Sequence, residues 1–579
     1  MSSPLYIGLD NSTQALKAVV IDQHLNTLYE HRLDFADDLP EYKTKSGVII
    51  ADDGSVLAPV LMYVEAMEKV FDNLKSQGLD FSRVKAVSGA AAQHAIVLLN
   101  SKYRAASEGL SSDQSLKTQL SDVFASPFAT NWQDSTTTKQ CREMETAIHQ
   151  VANGSSPGAS MAQVTGSSAH ERFSGPQLKK VYQTNREVFD KTDRVCVLSA
   201  FLTTLLCADG EVKAVDEADA SGANLYSIPD RKWNPTLLGS IVGADTANDD
   251  VQRMMGAVER DPRKSAGKIG KWFQDRYGFA SDCEVAYFTG DNPATLLSFA
   301  LVPGDAVVSL GTSDTVLLAT EKYNPHPNYH IFPHPAGNDK NGGERYMGML
   351  CYKNGSLARE MVRDGINGSS TKSWDSFNRA VQDTPAPKLD SKEKDVFGFY
   401  FRDHEIIPRN VQGLYRFDAE MDMESEPLNL KSLDAVRWST SDAKRILESQ
   451  FLSFKSKINQ LLPADSPSLR RIYVTGGASA NPVITSLLST VLNAPIYAGG
   501  SAQGCAMGGA YRAAWCHASK QGGDVEFAEF VKNSRNAKET VEAEGRVVAQ
   551  PDRDLAKVYD DLLESWRKAE AQVIQACAK

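Results

Sequence analysis

Residues Leu5 to Asp22 run apolar, polar, apolar: Leu5, Tyr6, Ile7 and Leu9 lead into Asp10-Asn11-Ser12-Thr13, and Ala18 to Ile21 lead out. Two buried strands joined by a tight turn satisfy that pattern, with one cation, Lys17, just beyond the tip. Two readings fit such a tip. It is the Asx and Ser turn chemistry of a plain hairpin, or it is a cradle whose hydroxyls and backbone N–H groups grip a phosphate while a carboxylate holds the accompanying hydrated magnesium. A second copy, Asp305 to Thr320, repeats strand, hydroxyl-rich tip (Gly311-Thr312-Ser313) and strand about half the chain away. That duplication implies two related halves, each with a phosphate-gripping hairpin, and a nucleotide bound in the cleft between two lobes.

With 579 residues the chain exceeds the ~250–300 that one hydrophobic core supports, and the repeat divides it into two large lobes, 1–300 and 301–579. A charged content of 23% with 42% hydrophobic residues excludes a disordered or fibrous chain. The net charge of −11 argues against nucleic-acid or anionic membrane partners held by bulk electrostatics. The eight cysteines are dispersed without paired spacing, which reads as buried free thiols rather than disulfides or a zinc site. No signal peptide or apolar run of about 18 residues is present, so a cytoplasmic protein, monomer or homodimer, is expected. Neither a Gly-x4-Gly-Lys-Ser/Thr loop nor a strand-borne Gly-x-Gly-x-x-Gly occurs, which sets aside P-loop and dinucleotide enzymes.

Several further stretches carry candidate chemistry. A helix is expected from about Leu57 to Leu74, then two buried strands across Val84–Gly89 and Ala90–Leu99 with Gln93-His94 where they meet. His94 is either a satisfied core histidine or a ligand contact. Asn100–Ser121 is polar without periodicity and reads as a surface insertion. Asn131 to Cys141 opens a helix with Asp134 or Ser135 as N-cap, and Trp132 either stacks on the face of a ligand or is a buried structural ring. A Gly- and Ser-bounded loop, Thr165–Gln177, holds Arg172 ahead of a helix from Leu178 to Phe189. In Cys283–Thr295 a strand ends at Gly290 and Pro293 suits the first turn of a helix over Ala294–Ala300, so Asp291 and Asn292 stand at the junction, as helix caps or as reacting groups. Arg471–Pro482 reads strand, Gly476-Gly477 turn, helix, where backbone without side chains admits a flat ring or a phosphate. Gly504–Ala514 is a small-residue helix suited to packing closely between lobes.

Taken in order, Gln93-His94, Ser174-Gly175-Pro176-Gln177, Gly290-Asp291-Asn292, Ser309-Leu310-Gly311-Thr312-Ser313 and Asn354-Gly355-Ser356-Leu357-Ala358-Arg359 resemble the carbohydrate kinases of the FGGY family, most closely the fungal-type D-xylulose kinases. The resemblance covers nearly the whole chain. It implies an α/β chain with the two-lobed fold of sugar kinases, actin and heat-shock chaperones, built on ribonuclease H-like duplicated domains with an ATP cleft. The implied reaction is transfer of a phosphoryl group from ATP, with Mg2+, to a small sugar, D-xylulose. By the same resemblance Asp291 is the catalytic base, His94, Arg172, Asp291 and Asn292 hold the sugar, and Asp10 holds the metal. Ser168 stands where those kinases carry a first loop arginine, so that role passes to Arg172 alone. ATP falls to Ser12, Thr13, Lys17 and Thr312 at its phosphates, to Gly477, Ala478 and Asn481 at its adenosine, and to Gly355, Trp374 and Gly476 elsewhere on the nucleotide.

Overall fold

The computed structural model describes residues 3–244, 249–368, 371–388, 396–409, 411–426, 436–464, 468–499, 504–523, 525–535 and 545–577. The chain forms two compact units, the first from Met1–Leu301, Pro325–Met347 and Ser501–Thr540, the second from Val302–Asn324, Gly348–Gly500 and Val541–Lys579. Two segments from the later half therefore fold with the first unit.

In the first unit the strand Leu5–Asn11 pairs antiparallel with Ala15–Asp22, from Leu5 opposite Asp22 to Asn11 opposite Leu16. Asp10 and Asn11 thus lie within the strand, Asp10 facing Lys17, and the turn itself is Ser12-Thr13-Gln14, later than the expected tetrad. Thr27–Asp34 extends this hairpin on one side, while Val84–Ala91 and Glu284–Ala286 continue the sheet in parallel on the other, closed by antiparallel Ser265–Lys268. Side chains alternate. Leu5, Ile7 and Leu9 bury against the helix Val60–Ser76, whereas Tyr6 joins the core under the helix Gly504–Lys520. At ~1.5–3 kcal/mol per buried large apolar side chain, this two-sided burial supplies the main stabilisation of the unit.

The helix expected over Gly504–Ala514 runs from Gly504 to Lys520 and packs on the sheet of the first unit. Its small residues serve close approach to the sheet: a Cβ on Gly8 would stand 1.9 Å from the Ala506 carbonyl oxygen, and one on Gly509 would stand 2.6 Å from Gly89 Cα. Asn100–Ser121 is likewise no loose insertion. It contains helices Tyr103–Glu108 and Leu116–Gln119, buries Tyr103, Leu116 and Leu120, and donates the Leu116 N–H to Glu68 at 3.1 Å. Its two helices, of 6 and 4 residues, are too short to write a period into the sequence. The expected helix from Leu57 begins only at Val60, after a short strand Val56–Pro59, and the one expected over Leu178–Phe189 is two helices, Ser174–Thr184 and Arg186–Lys191, with Asn185 capping the second. Asp134 caps no helix: its carboxylate accepts from the Val56 and Thr136 N–H groups, and the helix starts at Thr138.

The second unit repeats the order. Asp305–Leu310 pairs antiparallel with Asp314–Thr320, which adjoins Tyr346–Tyr352, and on its other side parallel Arg471–Thr475 and Ile496–Ala498 lead to antiparallel Arg546–Ala549. Hairpin, parallel, parallel, antiparallel is the sequence of pairings in both sheets, so the duplication expected from two hairpins extends to whole sheets.

Candidate active site

In the first unit the residues expected to react converge where three strand ends meet the helix Asp291–Ser298. Val84–Ala91 ends beside Thr289–Gly290, and the chain after it turns through Gln93 and His94 before the strand Ile96–Leu99. Gly290 is the residue before the helix, so Asp291 is its first residue, where a helix N-terminus favours a negative charge. Asp291 Oδ1 accepts from the Asn292 N–H at 2.8 Å and from Asn292 Nδ2 at 3.0 Å, which leaves Oδ2 as the oxygen able to take a proton. Burial, the nearby Asp10 carboxylate and Asp219 push the Asp291 carboxyl up to about 7. A carboxyl poised there is suited to general-base work at neutral pH.

Asp10 shares its Oδ2 with Lys17 at 3.1 Å across the hairpin, while its buried Oδ1 has no hydrogen-bond partner. An acceptor-only oxygen left unpaired in the interior is costly unless a cation completes it. Among the described residues no cluster of three or more ligating side chains exists. A lone carboxylate oxygen fits magnesium, which keeps most of its waters and binds through one or two carboxylates and substrate phosphates. Lys17 neutralises Asp10, a use the sequence did not disclose. The Ser12 hydroxyl donates to the Ala15 carbonyl at 3.0 Å within the turn, and the Thr13 hydroxyl accepts from the Trp132 indole at 2.7 Å. Trp132 is 45% exposed, so it is not a buried structural ring.

His94 is buried with φ of 71°, a left-handed conformation rarely adopted outside glycine. Three contacts hold it there: the ring stacks on Phe173 at 4.0 Å, its carbonyl accepts from the Ser174 hydroxyl at 3.0 Å, and Nδ1 lies 2.7 Å from the Gly222 carbonyl. Burial and the Arg172 charge push His94 down to about 3, so the ring is neutral. Since the Gly222 oxygen can only accept, Nδ1 carries the proton and Nε2 is left as an acceptor. Arg172 lies over the Phe173 ring at 5.6 Å, and burial together with its charge holds His330 well below its usual range. His94, Arg172, Asp291 and Asn292 are thus gathered in one unit.

The remaining expected residues surround the second hairpin. Thr312 is exposed at its tip. A Cβ on Gly355 would stand 2.7 Å from the Gly311 carbonyl oxygen and one on Gly476 2.5 Å from that of Leu310, so both glycines let backbone pack under the hairpin. Gly477 has nothing within 4 Å and faces open space. Asn481 caps the helix Pro482–Leu492 through the Val483 N–H and donates its amide to Asn378 at 2.8 Å. The Asn378 N–H in turn donates to the Trp374 carbonyl at 2.7 Å, and the Trp374 ring lies under Arg363 at 4.7 Å. Ala478 sits in the short turn between Gly477 and Ala480.

Across its full length this chain resembles sugar kinases of fungi. A probable D-xylulose kinase A of Aspergillus fumigatus is 37% identical over 588 residues, spanning 99% of this chain and 98% of that protein. The chain belongs to the FGGY family of carbohydrate kinases. A xylulose kinase of Schizosaccharomyces pombe is 38% identical, with 99% of each chain covered, and the model of the FGGY C-terminal domain matches residues 306–517. Among solved structures, a xylulose kinase from Rhodospirillum rubrum superposes with a TM-score of 0.72 at 14% identity, covering 99% of this chain and all of that one. That likeness carries the fold, the two-domain α/β architecture of FGGY kinases.

Several members of the site had no role assigned to them from the sequence. Gln93 joins Asn292 to Asp219, and Asp219 is buried and pushed up to about 6. Its signal is an aspartate inside Ala218 to Ala223, a stretch of small residues with little else to bury it. His330 stacks on His170 at 4.5 Å. In the second unit Arg359 grips Asp314 through two bonds of 2.7 and 2.9 Å, both side chains fully buried.

Proposed function

We propose that the chain transfers the γ-phosphoryl group of ATP to D-xylulose, giving D-xylulose 5-phosphate and ADP. The observation that carries the reading is Asp291, a carboxyl at a helix start pushed up to about 7, with one oxygen spent on Asn292 and the other free. Full-length kinship with D-xylulose kinases supports the sugar.

In this reading Asp291 Oδ2 accepts the proton of the sugar's terminal hydroxyl as its oxygen bonds to the γ-phosphorus and the bond to the β-phosphate oxygen breaks. His94 offers Nε2 to a sugar hydroxyl, Arg172 donates to sugar oxygens, and Asn292 fixes both Asp291 and the sugar. Thr13, Thr312 and backbone N–H groups at the two hairpin turns take the phosphates, with Ser12 contributing through its backbone. Lys17, paired with Asp10, offsets that carboxylate's negative charge beside them. Gly477, Ala478 and Asn481 take the adenosine with Trp374 nearby, and Gly355 and Gly476 shape the backbone beneath. Asp10 would hold Mg2+, which when bound offsets the charge of the β- and γ-phosphates. Among the described residues no helix is long and apolar enough to cross a membrane. The reading includes a cytoplasmic enzyme, monomer or homodimer, without nucleic-acid or membrane partners.

ADP release with Mg-ATP across D-xylulose, D-ribulose, L-ribulose, L-xylulose, glycerol, xylitol and no sugar tests the assignment. The expected rate is confined to D-xylulose. A rate only with another acceptor overturns the sugar, and turnover indifferent to all of them overturns the kinase reading.

A further inference from the structure

Behind Asp291 lies a chain of hydrogen bonds whose polarity is fixed at its far end. The Ser199 hydroxyl donates to Asp219 Oδ2 at 2.5 Å, and Gln93 Nε2 lies 3.4 Å from Asp219 Oδ1. Both partners are buried, as is Asp219 itself. An ionised carboxylate accepts and never donates, so the end of Gln93 that meets Asp219 must be its NH2. The Gln93 oxygen therefore points the other way, to Asn292 Nδ2 at 2.9 Å. Asn292 has then spent both amide hydrogens, one on Gln93 and one on Asp291 Oδ1 at 3.0 Å, and its Oδ1 remains as an acceptor.

We propose that Asp219 is a positioning residue for the sugar: through Gln93 it locks the Asn292 amide with its NH2 toward Asp291 and its carbonyl oxygen toward a substrate hydroxyl. Asp219 touches neither sugar nor nucleotide in this account. Reversing the Gln93 amide would turn the Asn292 oxygen onto Asp291, setting two acceptors against each other and removing the acceptor that meets the sugar. The lock has its own support. Gly290 must be glycine, because a Cβ there would stand 2.3 Å from Gln93 Cγ, so the Gln93 side chain lies flat against the strand that delivers Asp291. The charged groups around Asp219 are Asp216, which is held by Arg512 at 2.6 Å and Thr289 at 2.6 Å, and Asp291. With Asp216 paired, Asp219 is the carboxylate left to orient Gln93.

The inference rests on Asp291 and Asn292 being the base and the sugar contact, and the test separates the two. Gln93→Glu sets a carboxylate against Asp219 and is expected to raise the D-xylulose KM at least about tenfold at pH 8, the loss of one well-made hydrogen bond, with the ATP KM unchanged. Adding Asp219→Asn to it exchanges donor and acceptor along the chain: the asparagine NH2 now donates to the introduced glutamate, whose other oxygen again accepts from Asn292. The double variant is expected to recover most of the lost sugar affinity. Asp219→Leu, which offers Gln93 no acceptor, provides a second route and is expected to raise the sugar KM by a similar factor; thermal melting of each variant accompanies the kinetics. An unchanged sugar KM in both Gln93→Glu and Asp219→Leu, or a double variant no better than Gln93→Glu, overturns the positioning role. Asp291→Asn run alongside reports on the reading beneath it: normal turnover there removes the base itself, whereas its collapse together with an indifferent Gln93→Glu removes only the relay.

Discussion

Asp291 sets catalysis against stability within one side chain. Its carboxyl, ordinarily near 3.8, is held up to about 7 by burial and by Asp10 and Asp219. As a base it works deprotonated, so kcat/KM for the sugar is expected to climb with pH and level off above about 7. The sign for stability is opposite. Between about 4 and 7 the folded chain keeps a proton that the unfolded chain has released, so folding stability falls as pH rises across that window, and the full cost of the buried charge is felt above it. Asp291→Asn is therefore expected to cut turnover by at least ~10²-fold while melting ~2–4 °C higher than the parent at pH 8. That gap narrows toward pH 5, where the parent carboxyl is already neutral. Turnover at the parent rate would remove the base role, and a lower melting temperature at pH 8 would contradict the electrostatic account.

The strands and helices that carry these side chains depend on glycines of two kinds. Gly8 and Gly509 lie where the sheet of the first unit meets the helix Gly504–Lys520, with no room for a Cβ, whereas Gly477 faces open space. Gly509→Ala should lower the melting temperature sharply, since the clash is with backbone at Gly89 and no flexible side chain can give way. Gly477→Ala should leave melting unchanged and raise the ATP KM at least about fivefold, because what its open face admits is a ring or a phosphate. Beneath the second hairpin the Arg359–Asp314 pair is fully buried. Arg359→Met strands a carboxylate and should cost ~3–5 kcal/mol in urea unfolding, whereas Arg359→Met with Asp314→Leu should regain most of that loss, because an apolar pair leaves no unpaired charge. Equal losses in single and double variants would point to packing rather than charge.

Much of the architecture was legible because it is written locally. The two hairpins are alternating apolar runs around short polar turns, and Gly290-Asp291-Asn292-Pro293 announces a strand end and a helix start in four residues. What escaped was long-range. Nothing near Lys17 in sequence reveals that its amine is spent on Asp10, and Gln93, Asp219 and Asn292 come from three segments more than seventy residues apart that only the folded chain brings together. Gly504–Ala514 was readable as a closely packed helix from its small residues, but its partner, the sheet of the first unit, was not. The division of labour that results has a measurable consequence. The sugar contacts proposed for His94, Arg172, Asp291 and Asn292 all belong to the first unit, and the adenosine contacts proposed for Gly477, Ala478 and Asn481 all belong to the second. Amide hydrogen exchange should separate them: D-xylulose alone is expected to slow exchange in peptides covering 90–96, 168–175 and 288–296, and ATP without sugar in peptides covering 474–484. Each of those peptides holds a strand end, a helix start or both, where N–H groups lack regular partners and a bound ligand changes their protection most. Sugar that protected only 474–484 would reverse the assignment of the two ligands to the two units, and with it the roles given to His94 and Arg172.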